Sequence, residues 1–305
     1  MESTALASNP AALNRKRKRS LKKYFWGMLF VTPALLVFIM FLWVPIFKGM
    51  IFSFYHIDFV KGDEFVGWKN YNVIFNDKDV MIAVKNTLYY IGLGLVIGFW
   101  VPCLFAIMIS ELRKFQGFAR VAAYLPNVIP AVVLYGLWRW LYDSVGPINS
   151  ALSSLGLDQI AFMTDTRWSM ASLVFMETWQ SFGAAMLIYL AAILNVPRDW
   201  YEAAEIDGAG IWQRIRHITL PSIGNVLLLM LILQLISSSQ GYLSQYALLD
   251  GGPNKATLTY SLLIVKYAFN KLDYGVASAL GVLMFIVLAG LAVIRYRLSG
   301  KEGSY

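Results

Sequence analysis

A single cysteine in 305 residues excludes a disulfide framework. Cys103 lies in an apolar run and is expected to be a small buried hydrophobe. The only two histidines, His56 and His217, stand far apart, without cysteines or paired carboxylates at ligand spacing. No metal site is expected. Charge is also scarce: 14% of residues are Asp, Glu, Lys or Arg, against about 25% in a soluble domain. No Gly-x4-Gly-Lys-Ser/Thr phosphate loop is written in the chain, so it carries no ATPase chemistry of that kind. No Gly-x-Ser-x-Gly elbow is present either. No cofactor and no catalytic residue is expected.

What is present is apolar residues, 58% of the chain. That excludes disorder and is too much for a soluble enzyme of this length. The expectation is an all-α polytopic membrane protein. A bilayer core of about 30 Å needs about 20 apolar helical residues. Six stretches qualify: Trp26–Phe47, Leu88–Ser110, Val121–Tyr142, Ser169–Val196, Ile223–Leu249 and Gly275–Ile294. None alternates like an outer-membrane strand. The first is too long for a signal-peptide core and reads as a retained anchor.

Lys and Arg set the orientation. With both termini inside, sixteen fall in inner segments, nine in outer ones and one, Arg139, within a span. Seven of the sixteen lie between Arg15 and Lys23, so the bias rests on that cluster, which alone would also suit anionic lipid. Both termini are expected in the cytoplasm. The chain divides into a basic segment 1–25, a membrane domain 26–296 and a tail 297–305. Aromatic residues at span ends, among them Tyr24, Phe25, Trp26, Tyr89, Tyr90, Trp138, Trp140, Tyr142, Trp168 and Tyr296, suggest an interfacial belt. Prolines 33, 45, 102, 126 and 130 should kink the helices that hold them.

Ionisable groups inside a bilayer cost at least about 2.5–3.5 kcal/mol and need a reason. Arg139 is about 4.5 Å deep at 1.5 Å per residue and can snorkel. Glu177 is about 12 Å deep by the same rise. It either pairs with a group such as Arg139 or lines a solute path. Trp179, Gln180, Gln234 and the run Ser237, Ser238, Ser239, Gln240 and Tyr242 add a polar and aromatic set. Successive serines cannot all face one neighbouring helix, so this set is a candidate path, and its hydroxyl-bonding and aromatic groups would suit a sugar.

The loop 197–222 is too patterned for a linker. Asp199 can cap a helix, with Glu202 three residues later as in a capping box. Ala203 and Ala204 favour helix, and Gly208 is a natural stop. A helix of about two turns outside the membrane is expected, with Pro221 opening the fifth span.

Glu202-Ala203-Ala204, then Gly208, then Ile218-Thr219-Leu220-Pro221 resembles the signature loop of membrane subunits of bacterial ABC importers. Leu190–Pro197, Gly251-Gly252-Pro253 with Thr257, Tyr267–Phe269 with Tyr274–Ala279, Phe65–Tyr71 and Asn86-Thr87 extend the resemblance over most of the chain, toward the carbohydrate-uptake branch. One departure is Gly241–Tyr246, where the family often has Phe-Asp. The resemblance implies a permease subunit in the bacterial cytoplasmic membrane, forming half of a translocation path. It implies a second homologous permease, two cytoplasmic ATP-binding subunits, an extracytoplasmic solute-binding protein and lipid as partners, and no nucleic acid. It assigns ATPase coupling to Glu202, Ala203, Ala204, Asp207, Gly208, Ile218, Leu220 and Pro221. Two other readings remain: a membrane-embedded lipid- or glycan-modifying enzyme built on Glu177 and Arg139, and a scaffold that recruits a partner through the loop.

Overall fold

The computed structural model describes residues 26–112 and 114–299. The basic cluster 15–23, Tyr24 and Phe25 lie outside the described residues, as does the side chain of Tyr296.

Among the described residues the regular structure is helical except for one small hairpin. It falls into two compact units. The first, residues 1–71 with 273–287, holds α1 (Trp26–Phe52), the strands β1 (Tyr55–His56) and β2 (Glu64–Phe65) and the first half of the last helix. α1 is apolar on every side and none of its residues is buried. Such a helix needs lipid around it. The Phe65–Tyr71 motif has a local purpose here. Asn70 Nδ2 donates to the Ser53 and Tyr55 carbonyls, each at 2.9 Å, and the Tyr71 hydroxyl donates to Ser53 Oγ at 2.9 Å. These bonds satisfy the carbonyls where α1 ends and the hairpin begins.

The second unit, residues 72–272 with 288–305, holds most of the remaining helices. α2 (Lys69–Asn76) leads into α3 (Lys78–Ser110). Then come α4 (Gln116–Val128), α5 (Ala131–Leu141), α6 (Pro147–Ser154) and α7 (Ser169–Leu194). The loop carries α8 (Arg198–Ile206) and a helical stretch over 211–222. α9 (Gly224–Gln240), α10 (Tyr260–Val265) and the last helix α11 (Tyr274–Ser299) complete the chain.

Among the described residues four helical stretches are long and apolar enough to cross a membrane, Trp26–Phe52, Lys78–Ser110, Ser169–Leu194 and Gly224–Leu249, or five if the bent pair α4–α5 counts as one, and the expected sixth span falls in a shorter apolar helix, Tyr274–Gly290. The expected third span is therefore not one straight helix. Its halves meet at 96° at Ile129–Pro130. Pro130 offers no N–H, and its ring drives Ile129 into an extended conformation, ψ 128°. The expected fifth span is also interrupted. α9 stops at Gln240, Gly241 is extended at ψ 130°, and a π-helical turn, Gln245–Leu249, follows. The helix that holds the expected second span begins ten residues before it, at Lys78 rather than Leu88.

Proline elsewhere is absorbed without a break. π-Helical turns at Ile39–Trp43, Gly94–Phe99 and Ile215–Thr219 stand just ahead of Pro45, Pro102 and Pro221. Proline lacks a donor for the carbonyl four residues back and its ring crowds that carbonyl. A wider turn moves the carbonyl aside.

α7 is the centre of the second unit. One core cluster joins Phe99, Cys103, Ala106 and Ile107 of α3 to Met186, Tyr189, Leu190 and Ile193 of α7. Cys103 is fully buried there, as expected of a small hydrophobe. Gly183 lets α7 cross α4 at backbone contact, because a Cβ on it would lie 2.1 Å from the Ala123 carbonyl oxygen. A second cluster gathers Leu134, Trp138, Tyr142, Leu173 and Met176. The belt expectation fails for Tyr90, Trp138 and Tyr142, which are buried. Trp138 and Tyr142 are four residues apart and share one inward face, whereas Trp140 points away and is exposed.

The start of α3 is stitched to the segment 250–271. Asn86 Nδ2 donates to the carbonyls of Lys255 and Leu258, at 2.7 and 3.0 Å. The Tyr267 hydroxyl donates to Asp77 at 2.5 Å, and Lys255 pairs with Asp79 at 2.5 Å. Burial pushes the Asp77 carboxyl up, but the Tyr267 hydroxyl, the Asp79 N–H and Lys271 outweigh it and hold it below the usual range. A lowered carboxyl stabilises the fold above its unfolded pKa, and that contribution is lost as pH falls through the folded value. The Tm of the purified protein should therefore drop below about pH 4, and Asp77→Asn should flatten that part of the profile. An unchanged profile would mean the stitch carries no stability.

Candidate functional site

Two places gather the residues singled out by sequence. The first is a cavity of about 330 Å³ enclosed by α3, α5, α7 and α9 with the broken segment after it. Glu177, Gln180, Ser238, Gln240 and Tyr242 all line it, as do Gln234 and Ser237. Trp179 does not. It packs edge-on against Trp138 at 5.5 Å, in the second core cluster. Arg139 is exposed in the last turn of α5 and is not among the lining residues.

Glu177 is held by hydroxyls rather than by Arg139. The Tyr90 hydroxyl donates to Oε2 and the Ser244 hydroxyl to Oε1. Ser244 also lies 3.0 Å from Gln245 Oε1. A hydroxyl has one hydrogen to give. The carboxylate thus ties α7 to α3 and to the segment beyond the Gly241 break.

Small residues open this space. A Cβ at Gly94 would lie 3.0 Å from Ser238 Oγ, and one at Gly98 would lie 3.0 Å from Gln234 Nε2. Tyr90 and Tyr135 are lining residues that sequence reasoning missed, while Ser244 belongs to the segment Gly241–Tyr246 already marked as a departure. Tyr90 was hidden by its neighbour Tyr89, which is exposed as a belt residue should be. A Gly-x3-Gly spacing at Gly94 and Gly98 was the available signal for close approach.

The second place is the loop 197–222. α8 begins at Arg198 with Pro197 at its N-cap. Asp199 is therefore inside the first turn and does not cap, because Pro197 already sets the helical entry. Glu202 makes no capping-box bond. The stop is as expected. Gly208 has φ +77°, the Ala209 N–H donates to the Ala204 carbonyl at 2.8 Å and the Gly208 N–H to Glu205 at 3.1 Å. That pair of bonds is a Schellman motif.

No residue of α8 is buried. Ile206 is 88% exposed and Trp212 77%, two apolar groups that sequence reasoning left out. Tyr201 anchors the helix through a 3.0 Å contact between its hydroxyl and Thr219 Oγ1. Ile218 and Leu220 pack against the first core cluster. Ala204, Asp207, Gly208, Arg214, His217 and Ile218 help line a surface hollow of about 330 Å³. Pro221 lies in the last helical turn before α9. The loop is a short exposed helix on a core-anchored base.

A family model described as the inner membrane component of binding-protein-dependent transport systems matches residues 91–301. The chain belongs to that family. The probable ABC transporter permease protein YurN of Bacillus subtilis (strain 168) is 32% identical, covering 90% of this chain and 96% of the relative. The trehalose/maltose transport system permease protein MalF of Thermococcus litoralis is 29% identical, over 88% of this chain and 91% of the relative. A crystal structure of a bacterial ABC transporter involved in the import of the acidic polysaccharide alginate has a chain 26% identical. It superposes with a TM-score of 0.83 over 95% of this chain and 100% of that one. The family places this chain in the inner membrane as a multi-pass permease subunit. The cavity and the loop both fall within the matched residues, apart from Tyr90.

Proposed function

We propose that this permease is half of the translocation path of an ATP-driven, binding-protein-dependent importer of a sugar or oligosaccharide. The observation that carries the reading is α8: an unburied helix of nine residues ended by a Schellman glycine. A helix that short is marginal in water by itself, so its exposed face calls for a partner. The partner is the ATPase subunit, one for each of two permeases. Glu202 and Asp207 offer acceptors, Ala203 and Ala204 permit close approach, and Ile206 and Trp212 supply apolar contact. Ile218, Leu220 and Pro221 join this lever to the bundle. This chain hydrolyses no ATP itself. A second homologous permease completes the path, and the binding protein delivers solute from the opposite face. The relatives' sugar substrates and the hydroxyl-rich cavity around Glu177 support a carbohydrate solute, with Gln180, Ser238, Gln240 and Tyr242 in contact with it.

The same reading sets the topology. Both termini are cytoplasmic and the chain crosses six times, with the bent pair α4–α5 as the third crossing and α11 as the sixth. Residues 1–25 and 297–305 are the cytoplasmic ends of the domain 26–296. The sixteen-to-nine charge split supports this. Single cysteines at Lys61 and Glu205, both exposed, test it in a Cys103→Ala background. An impermeant thiol reagent applied to intact cells should label position 61 and spare 205. The reverse pattern would overturn the topology and the assignment of the loop together.

A further inference from the structure

The charge of the cavity wall narrows the solute further. Glu177 is the only ionisable acid or base with a formal charge among the lining residues, and none of them is Lys, Arg or His. Both of its carboxylate oxygens already accept from neutral hydroxyls of the chain, Tyr90 and Ser244. The four ion pairs found among the described residues all lie elsewhere, at Asp165, Asp79, Asp250 and Asp77. Family membership does not decide the matter, because the similar proteins include a trehalose/maltose permease and an importer of an acidic polysaccharide.

From this wall we infer that the path through this subunit admits uncharged and amino saccharides and rejects uronates, with Glu177 as the residue that discriminates. The inference rests on the sugar-importer reading above. A uronate in the cavity meets no cation to pair with, and losing hydration without a partner is costly for a carboxylate. It also meets a like charge. The cavity is small enough that a guest carboxylate lies within about 8 Å of Glu177. Two like charges at about 8 Å and an effective dielectric constant of about 20 repel enough to weaken binding about thirtyfold. An amino sugar gains from the same field, and a neutral sugar is indifferent to it. Glu177 therefore sorts solutes by charge while the serines and glutamines bond hydroxyls.

The test is saturation-transfer NMR on the detergent-purified complex of both permeases and the ATPase, with the binding protein omitted. The probes are maltose, cellobiose, the glucosamine disaccharide and digalacturonate. Maltose or cellobiose and the glucosamine disaccharide should bind, and digalacturonate should bind at least about tenfold more weakly. Glu177→Gln, which keeps an acceptor for one of the two hydroxyls, should bring digalacturonate within about twofold of maltose. Gln180→Lys, which adds a cation to the wall and leaves Glu177's bonds in place, should strengthen digalacturonate and weaken the glucosamine disaccharide. Equal binding of digalacturonate and maltose to the wild type would overturn the inference, as would a gap that Glu177→Gln leaves untouched. Binding of none of the four probes would defeat the sugar reading itself, a different result from binding without charge discrimination.

Discussion

Gly183→Ala should cost the protein its assembled fold. The new Cβ would stand 2.1 Å from the Ala123 carbonyl oxygen and 2.7 Å from Tyr124 Cα. Both are backbone atoms of α4, so no rotamer change relieves the overlap. One helix must withdraw, and the cluster around Met186 and Tyr189 then loses its packing. Overpacking that side chains can absorb costs about 1–3 kcal/mol, and a backbone clash should exceed the top of that range. A thermal melt of the detergent-purified protein should show a Tm lowered by many degrees, or yield should collapse. Gly136→Ala is the control, since nothing lies within 4 Å of its Cβ position. If the two variants melted together, the close crossing of α4 and α7 would not be a source of stability.

Gly208→Val should uncouple ATP hydrolysis from transport while leaving the membrane domain folded. Space is not the obstacle, because no atom lies within 4 Å of a Cβ there. Conformation is. Gly208 sits at φ +77°, which a β-branched residue resists at a cost of about 1–3 kcal/mol. The Schellman bonds to Ala204 and Glu205 would open, and the chain would leave α8 in another direction. Gly208→Asn separates the causes, since asparagine tolerates the left-handed region. It should retain most activity, while valine loses at least about tenfold. Ala204→Trp should block docking by bulk, and Glu202→Ala should be milder, at about 1 kcal/mol. Solute-stimulated ATPase activity in the reconstituted complex and pull-down of the ATPase are the measurements. Normal coupling in both the Gly208→Val and Ala204→Trp variants would mean that force passes elsewhere.

The loop was readable in the sequence because its signals are local: two alanines for a helix and a glycine four residues beyond them and one past the helix cap. Glu177 and the 237–242 run were readable because polarity inside an apolar span is itself anomalous. What bonds Glu177 was not. Tyr90 and Ser244 lie 87 and 67 residues from it, and a tyrosine near a span end looks the same whether it faces lipid or protein. The same blindness placed Trp138 and Tyr142 in a belt when they belong to a core. Length and hydropathy marked the third and fifth spans as continuous, since a window average is insensitive to one extended residue. Ile129 before Pro130, and Gly241 against the Tyr90 ring, each end a helix by conformation alone.

The π-helical turn at Gly94–Phe99 makes the length of α3 as consequential as its composition. Such a turn holds one residue more than an α-helical turn would. Deleting one residue there would let the turn revert to α-helix with the two flanks still nearly in phase, because the wide turn takes up its extra residue within one revolution. Tyr90 lies on one flank, facing Glu177, while Cys103 and Ile107 lie on the other, inside the core. A helix with one residue fewer at this turn can therefore still present both faces. A homologous chain that lacks the extra residue keeps the bond between these two helices but loses the room that the wide turn makes for the ring of a proline at position 102, so it should carry another residue there.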